Sequence, residues 1–576
     1  MAIYDIVIKG GTIIDGLRTP RYRADVAIKD GRIVQIGSVA AADGAEVVDA
    51  VGKIVAPGVV DIHTHYDSQL FWDPWCTMSG WHGVTSVVIG NCGFGFAPCK
   101  VEDQDRAMLS VSRNEAVPLK TMRAGMPWDW VTYPEFLDSV DRTPKGVNVM
   151  SLAPLAPLYG YVVGVDKAKE QRASDEELDQ MCQLLVEAME VGACGWSSQI
   201  SGDLYNVQRD YDGTPMVTDE MTEREIVAFS RALRTVGRGS TQITGALETA
   251  ALIARESGRP IVWNALAPTG SVNQHGESRF PHLETIARLD ELNQQEGLRV
   301  FASAQIVRFK SEIVLEDYNL MDIFPAWKEA CLGALEEKVA KLSDPARRPG
   351  LKEAIDALGG GFGAARYPLD EITVNWISSD APNAQELKER YEGFTIAEIA
   401  ARENKHLLDA MLDIAVAGLL QVGFGTTMIE MDPQAVKEVG TCAVALPGIS
   451  DGGAHTKFVT TARFATELLG YWVREHEIMS LEDAHWRLSA YPAMAVGLKD
   501  RGSLTEGSPA DVIVYDPDRV DALEQERRFD YPAGEWRLVQ RATGYERTIV
   551  NGVTTFIQGD CTAATPGKLL RHGAAH

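Results

Sequence analysis

The chain has 576 residues, of which 45% are hydrophobic and 24% charged, and it carries a formal net charge of −26. That length exceeds one ordinary core, so two or more domains are expected, and the acidic balance argues against a nucleic-acid partner. No apolar run of about eighteen residues predicts a membrane span, and Met1-Ala2-Ile3-Tyr4-Asp5 opens no secretory signal. Eight scattered cysteines without a C-x-x-C pair then read as reduced thiols in a cytoplasmic protein.

Residues 4–16, Tyr-Asp-Ile-Val-Ile-Lys-Gly-Gly-Thr-Ile-Ile-Asp-Gly, place two β-branched runs around Gly-Gly and predict a hairpin. Ala24–Gly37 repeats the pattern around Asp30-Gly31, and Glu46–Val55 leads into the next strand. This opening is a small β unit without chemistry of its own.

From about residue 54 to 490, short apolar runs alternate with longer helical segments, the texture of a parallel α/β core. The predicted strands are Ile54–His63, Thr85–Gly90, Val147–Ala153, Ala193–Ser198, Ser240–Thr244, Ile261–Ala265, Arg299–Gln305 and Ala443–Ser450, with Val422–Ile429 as an additional candidate. Eight such strands fit a TIM-type (β/α)8 barrel, whose active site lies at the C-terminal strand ends. Helices are clearest at Ser174–Val191, where Ser174 and Glu177 form a capping box, and at Ile396–Leu420. Residues 310–392 are less regular and read as a helix-rich excursion. The run Gly359-Gly360-Gly361-Phe362-Gly363 there is no P-loop, because no Gly-Lys-Ser/Thr follows. Strand texture returns at Val512-Ile513-Val514-Tyr515 and Arg547–Val553. The expected organisation is a small β-sandwich from both termini (1–54 and 491–576) flanking a barrel at 55–490.

The chemistry gathers at strand ends. His63 and His65 are two apart in a strand, so both imidazoles project from one face, half of a metal site. Asn91-Cys92-Gly93 ends the second strand with a thiol, and Ser450-Asp451-Gly452-Gly453 ends the eighth with a carboxylate. First and last strands of a closed barrel are neighbours, so Asp451 reaches the histidines. Two imidazoles, a thiolate and a carboxylate form a zinc donor set. Read singly, Cys92 is more readily a buried apolar residue than a ligand and Asp451 equally a helix cap; their joint placement carries the metal reading. Trp72, Trp75 and Trp81 read either as an aromatic substrate wall or as core.

The chain resembles the amidohydrolase superfamily, in its N-acyl-D-amino-acid deacylase (D-aminoacylase) branch. The matching stretches are Lys-Gly-Gly-Thr-Ile-Ile-Asp-Gly at 9–16, Pro-Gly-Val-Val-Asp-Ile-His-Thr-His-Tyr-Asp at 57–67 and Gly-Val-Thr-Ser-Val-Val-Ile-Gly-Asn-Cys-Gly-Phe at 83–94. Ile-Ser-Asp-Gly at 449–452, the run at 497–514 and Thr-Pro-Gly-Lys-Leu-Leu-Arg at 565–571 complete them. The resemblance implies a barrel with a flanking sandwich and zinc-assisted amide hydrolysis. His63 and His65 would be ligands, Cys92 the thiolate ligand, and Asp451 ligand and proton shuttle.

Two family histidines are missing. Gln242 stands in the strand-five run and Asn264 in the strand-six run, and amides are poor zinc ligands. One zinc ion, or another divalent metal, is therefore expected. Gln242, Asn264, Gln305, His455 and Arg463 become candidate substrate contacts. The substrate is a small molecule carrying an amide or related C–N bond. The alternatives are a lactone, a cyclic imide or a C–C bond, or a binding protein that lost hydrolysis. A homo-oligomer is an expectation by resemblance alone.

Overall fold

A computed structural model describes residues 2–202, 209–268 and 281–573, apart from 318, 320, 323, 358, 360, 364 and 365. His275, which lies past the strand-six run and could return to a second metal only through a loop, lies outside the described residues. The eight predicted core runs all contain strands: β1 (Val59–Asp61), β2 (Val84–Ile89), β3 (Asn148–Ser151, resuming at Ala153–Pro154), β4 (Gly195–Ile200), β5 (Ser240–Gly245), β6 (Ile261–Leu266), β7 (Val300–Ala304) and β8 (Ala445–Pro447). Neighbouring strands pair in parallel. Successive residues feed opposite faces: Val59, Val87, Val149 and Trp263 enter one hydrophobic cluster, Val60, Val88, Met150 and Val262 another. Strands buried on both sides are what helices packed on a parallel sheet require.

The ladders form one sheet of β1 to β3 and another from the second piece of β3 to β8. They adjoin at both margins. Within β3, Leu152 N–H donates to Ile89 O at 3.0 Å. Beyond β1, Thr64 bridges Gly452, and His65 N–H donates to Gly452 O at 2.7 Å. The architecture is α/β with a TIM-barrel-type domain.

Both termini enter one nine-stranded sheet, in which Ile54–Pro57 pairs with Val512–Tyr515. The single strand predicted over Ile54–His63 is therefore two: its first half belongs to the terminal sheet and its second to the core. Gly58 is the pivot, since a Cβ there would lie 2.2 Å from the Thr85 side chain. Residues 4–16 are also not a hairpin. Tyr4–Ile13 runs through Gly10-Gly11 as one strand, with a register shift between Ile8 and Gly11. Asp30-Gly31 and Asn551-Gly552 do turn hairpins, all four residues having positive φ as a tight turn demands.

The capping box forms as predicted: Ser174 Oγ accepts from Glu177 N–H, and Glu177 Oε2 accepts from Ser174 N–H. The helix predicted over Ile396–Leu420 is two, Ile396–Glu403 and Leu407–Ala417, broken where Asn404 takes φ 51°. Val422–Gly425 is a strand, but it pairs antiparallel with Glu312–Ile313 and Thr373–Ile377 outside the parallel core. The excursion beginning near 310 has its own core, from Ile313 through Trp327 and Met411 to Phe424, and thus runs well past 392. Among the described residues no helix is long and apolar enough to cross a membrane.

Candidate metal centre

Beyond β1 the chain presents His63 and His65, beyond β2 it presents Cys92, and beyond β8 Asp451. One ligand atom each from His63, His65 and Cys92 lies within 4.8 Å of the others, all three residues being buried. Cys92 Sγ is 3.5 Å from His63 Nε2. On the other side, Asp451 Oδ1 is 3.2 Å from His63 Nε2 and 3.8 Å from His65 Nε2. The four residues singled out by sequence therefore meet at one point.

Local structure fixes each arm. Asn91 Nδ2 donates to Thr64 O and Val88 O, tying the ends of β1 and β2 together. Ser450 Oγ donates to His63 O, holding the strand-eight end against the first. Gly453, at φ 92°, lets that loop lie on the His65 backbone, because a Cβ would come 2.6 Å from His65 O. Cys92, Asp451 and His455 themselves have positive φ, uncommon for residues with side chains and typical of functional loops.

The metal-free donors charge one another. Burial pushes the Cys92 thiol up, but the His63 and His65 imidazoles overcome it and bring it down to about 7. Burial opposes protonation of His63, yet Cys92 and Asp451 raise it well above its ordinary value. His65 carries the same burial penalty and is still brought up to about 9, first by Glu115. Asp451 is held well below the usual carboxylate range, against its burial, by His63 and then His455 and His65. Two imidazoles, an acidified thiol and an ionised carboxylate in a buried pocket are donors that fit zinc.

The strand-five and strand-six amides are also in the cluster, as supports. Gln242 Oε1 accepts from the Cys92 N–H at 2.6 Å, and Asn264 Nδ2 lies 3.0 Å from both His63 Nδ1 and Thr244 Oγ1. Cys92 Sγ lies 3.4 Å from Thr244 Oγ1. His455 reaches the centre through Glu115: its Nε2 is 3.4 Å from Glu115 Oε2, which is 3.9 Å from His65 Nε2.

Two candidates fall away from the cluster. Among the described residues, Gln305 bonds through its backbone, N–H to Leu266 O. Arg463 is buried, and its guanidinium bonds Glu467, Gln540 and the Arg308 carbonyl rather than any member of the cluster. Trp75 and Trp81 pack with Met78, Val539 and Phe556, which makes them core. Glu115 and Thr244 were missed. Thr244 follows Gln242 by two on a strand and shares its face, a signal that was present; Glu115 ends an ordinary helix, α1 (Gln104–Glu115), and gave none.

The Amidohydrolase family profile matches residues 46–197 and 385–556, more than half of the chain. The chain belongs to the amidohydrolase family. This amidohydrolase is 27% identical to an N-acyl-D-glutamate deacylase of Alcaligenes xylosoxydans xylosoxydans, over 99% of its own length and 97% of the relative's. It is also 27% identical to a D-aminoacylase of that organism, over 99% of this chain and 98% of the other. Both are of the D-aminoacylase-like branch that the sequence motifs indicated. Its fold matches the crystal structure of an N-acyl-D-glutamate deacylase from Bordetella bronchiseptica, complexed with zinc and a phosphonate inhibitor. That match has a TM-score of 0.65 and 24% identity, and covers 99% of each chain.

Proposed function

We propose that this amidohydrolase is a soluble cytoplasmic enzyme that hydrolyses the amide of an N-acyl-D-amino acid with one zinc ion, held by His63, His65, Cys92 and Asp451. The observation that carries the reading is the placement of Asp451 Oδ1 beside both imidazoles, with Cys92 Sγ against His63. A single ion is favoured because Gln242 and Asn264, where a second ion would need histidines, are spent on the Cys92 amide and His63 Nδ1. The Bordetella relative's zinc and intermediate mimic support the metal and the reaction class. The same reading takes the two parallel sheets as one closed eight-stranded barrel, joined at Thr64 and Gly452. The terminal sheet is then a flanking sandwich from residues 1–54 and 491–576.

A bound divalent ion supplies Lewis acidity, which acidifies water and polarises a carbonyl. Asp451, ionised and aimed at the same point, accepts the proton of the attacking water. The water oxygen bonds to the acyl carbon, the C–N bond breaks, and Asp451 returns the proton to the leaving nitrogen, giving a carboxylate and a free amino acid. Gln242 and Asn264 fix the Cys92 backbone and the His63 ring.

Metal content per chain and amine release from N-acetyl-D-glutamate and N-acetyl-D-leucine test this together. The expected result is about one zinc per chain, lost in the His63→Ala/His65→Ala variant, with turnover of at least one substrate. Two ions per chain, or no turnover by zinc-loaded enzyme, would overturn it.

A further inference from the structure

Glu115 is only 1% exposed although it carries a carboxylate, and it ends helix α1 with its side chain turned into the metal centre. A buried charge of this kind is held by partners or by a metal. Its Oε2 faces His65 Nε2 at 3.9 Å, the same ring nitrogen that faces Asp451 at 3.8 Å. Donors bound about 2.0–2.3 Å from one zinc ion stand roughly 3–4 Å apart along the edges of its coordination shell. The contacts Cys92 Sγ to His63 Nε2 (3.5 Å), His63 Nε2 to Asp451 Oδ1 (3.2 Å), Asp451 Oδ1 to His65 Nε2 (3.8 Å) and His65 Nε2 to Glu115 Oε2 (3.9 Å) form an unbroken series of such edges.

We propose that Glu115 is a further donor to the metal, brought from a helix because the fifth and sixth strands supply only amides. The inference rests on the metal centre proposed above and adds a residue to it. His455 is the positioning residue for Glu115. Its backbone N–H donates to Glu115 O at 2.6 Å, and its Nε2 stands 3.4 Å from Glu115 Oε2, the same oxygen that faces His65. The positive φ of His455 serves that double grip. The end of α1 and the strand-eight loop would then each bring a carboxylate to the ion.

The test is metal binding by the full chain, read without turnover. Zinc affinity is measured by competition with a chromophoric chelator, and the ligand field by the visible d–d bands of cobalt(II) bound in place of zinc. Glu115→Gln, nearly isosteric, is expected to weaken zinc by about 100-fold and to shift the cobalt bands, with thermal unfolding of the metal-free protein unchanged. His455→Gln is expected to weaken zinc by about 10-fold, the scale of a contact that orients a ligand. Wild-type affinity within twofold and an unchanged cobalt spectrum in Glu115→Gln would overturn the proposal while leaving the rest of the centre standing. A wild type that binds neither metal would overturn the centre itself. Should Glu115→Gln not fold, Glu115→Asp shortens the same carboxylate by one methylene; shifted cobalt bands in it support the assignment, and an unchanged spectrum rejects it.

Discussion

On the proposed mechanism, Asp451 does work at this centre that its amide cannot. Held ionised among His63, His65 and His455, it offers an oxygen that can accept a proton, 3.2 Å from His63 Nε2 and 3.8 Å from His65 Nε2. Asp451→Asn keeps the shape and removes the base, so kcat is expected to fall by about 10³-fold or more, within the range for a lost general base. Steady-state amine release checks it, and near-normal kcat would remove Asp451 from the mechanism. Asn264 contributes by orientation. Asn264 Nδ2 stands 3.0 Å from His63 Nδ1; for His63 to offer Nε2 to a metal its Nδ1 must carry the proton, which the Asn264 carbonyl oxygen accepts once the amide is turned over. Asn264→Ala is therefore expected to weaken zinc 10- to 100-fold, and Asn264→Asp to hold it at wild-type strength or better. Equal weakening in both would mean that packing alone matters there.

The strand-eight loop is the element on which the site depends, and it is gripped from three directions. Its start is fastened to His63 and His65 by Ser450 and Gly452, its middle to Glu115 by His455, and its end by Lys457. The Lys457 ammonium, buried, stands 2.9 Å from Asp317 in the excursion and 3.5 Å from Glu535 near the C-terminal hairpin. Both carboxylates hold its pKa far above the ordinary lysine value, against the burial penalty. Lys457→Met would remove the ammonium nearest to both, leaving Glu535 with Lys120 at 3.7 Å, at a cost of about 3 kcal/mol as for other broken buried pairs. Chemical denaturation should show that loss, and a change below about 0.5 kcal/mol would mean the ion group is solvated. None of this grip was legible in the sequence, since Asp317, Lys457 and Glu535 belong to three distant segments. What was legible was local. Period-two strands, a His-x-His pair and a Gly-flanked aspartate each announce a strand end without tertiary information, and eight such ends converge wherever parallel strands close. Glu115 was silent because a glutamate closing an amphipathic helix reads as solvated surface. Arg463, read as a candidate substrate contact because it follows Asp451, pairs with Glu467 one helical turn on, a partner that its own spacing allows.

At the scale of the whole molecule, the barrel-type domain is fastened to its flanking β structure by neutral histidines. His485, on the helix Leu481–Leu488, sets Nε2 2.9 Å from the Tyr515 hydroxyl of the terminal sheet. His82 links Thr466 to the Gln540 carbonyl, at 2.7 and 2.9 Å. Burial lowers the pKa of His82 to about 4 and that of His485 to about 3. Both folded values lie below the unfolded one, near 6.5, so the unfolded chain takes up protons that the folded chain refuses. Their contribution is thus complete above about pH 6.5 and is lost as pH falls from there toward 4, at about 1.4 kcal/mol per pH unit for each histidine. Buried Asp61 and Asp219, both pushed up to about 7 by burial, oppose this trend: over the same span their unfolded counterparts gain charge as pH rises. The total slope therefore mixes signs, and the histidine part must be isolated as a difference. Between pH 6.5 and 5 the unfolding free energy of wild type should fall more steeply than that of His82→Gln/His485→Gln, by about two protons' worth of slope. Urea unfolding across that range measures it. Parallel slopes would show that these histidines gain protons in the folded state, and hence that water reaches the seam between barrel and terminal sheet.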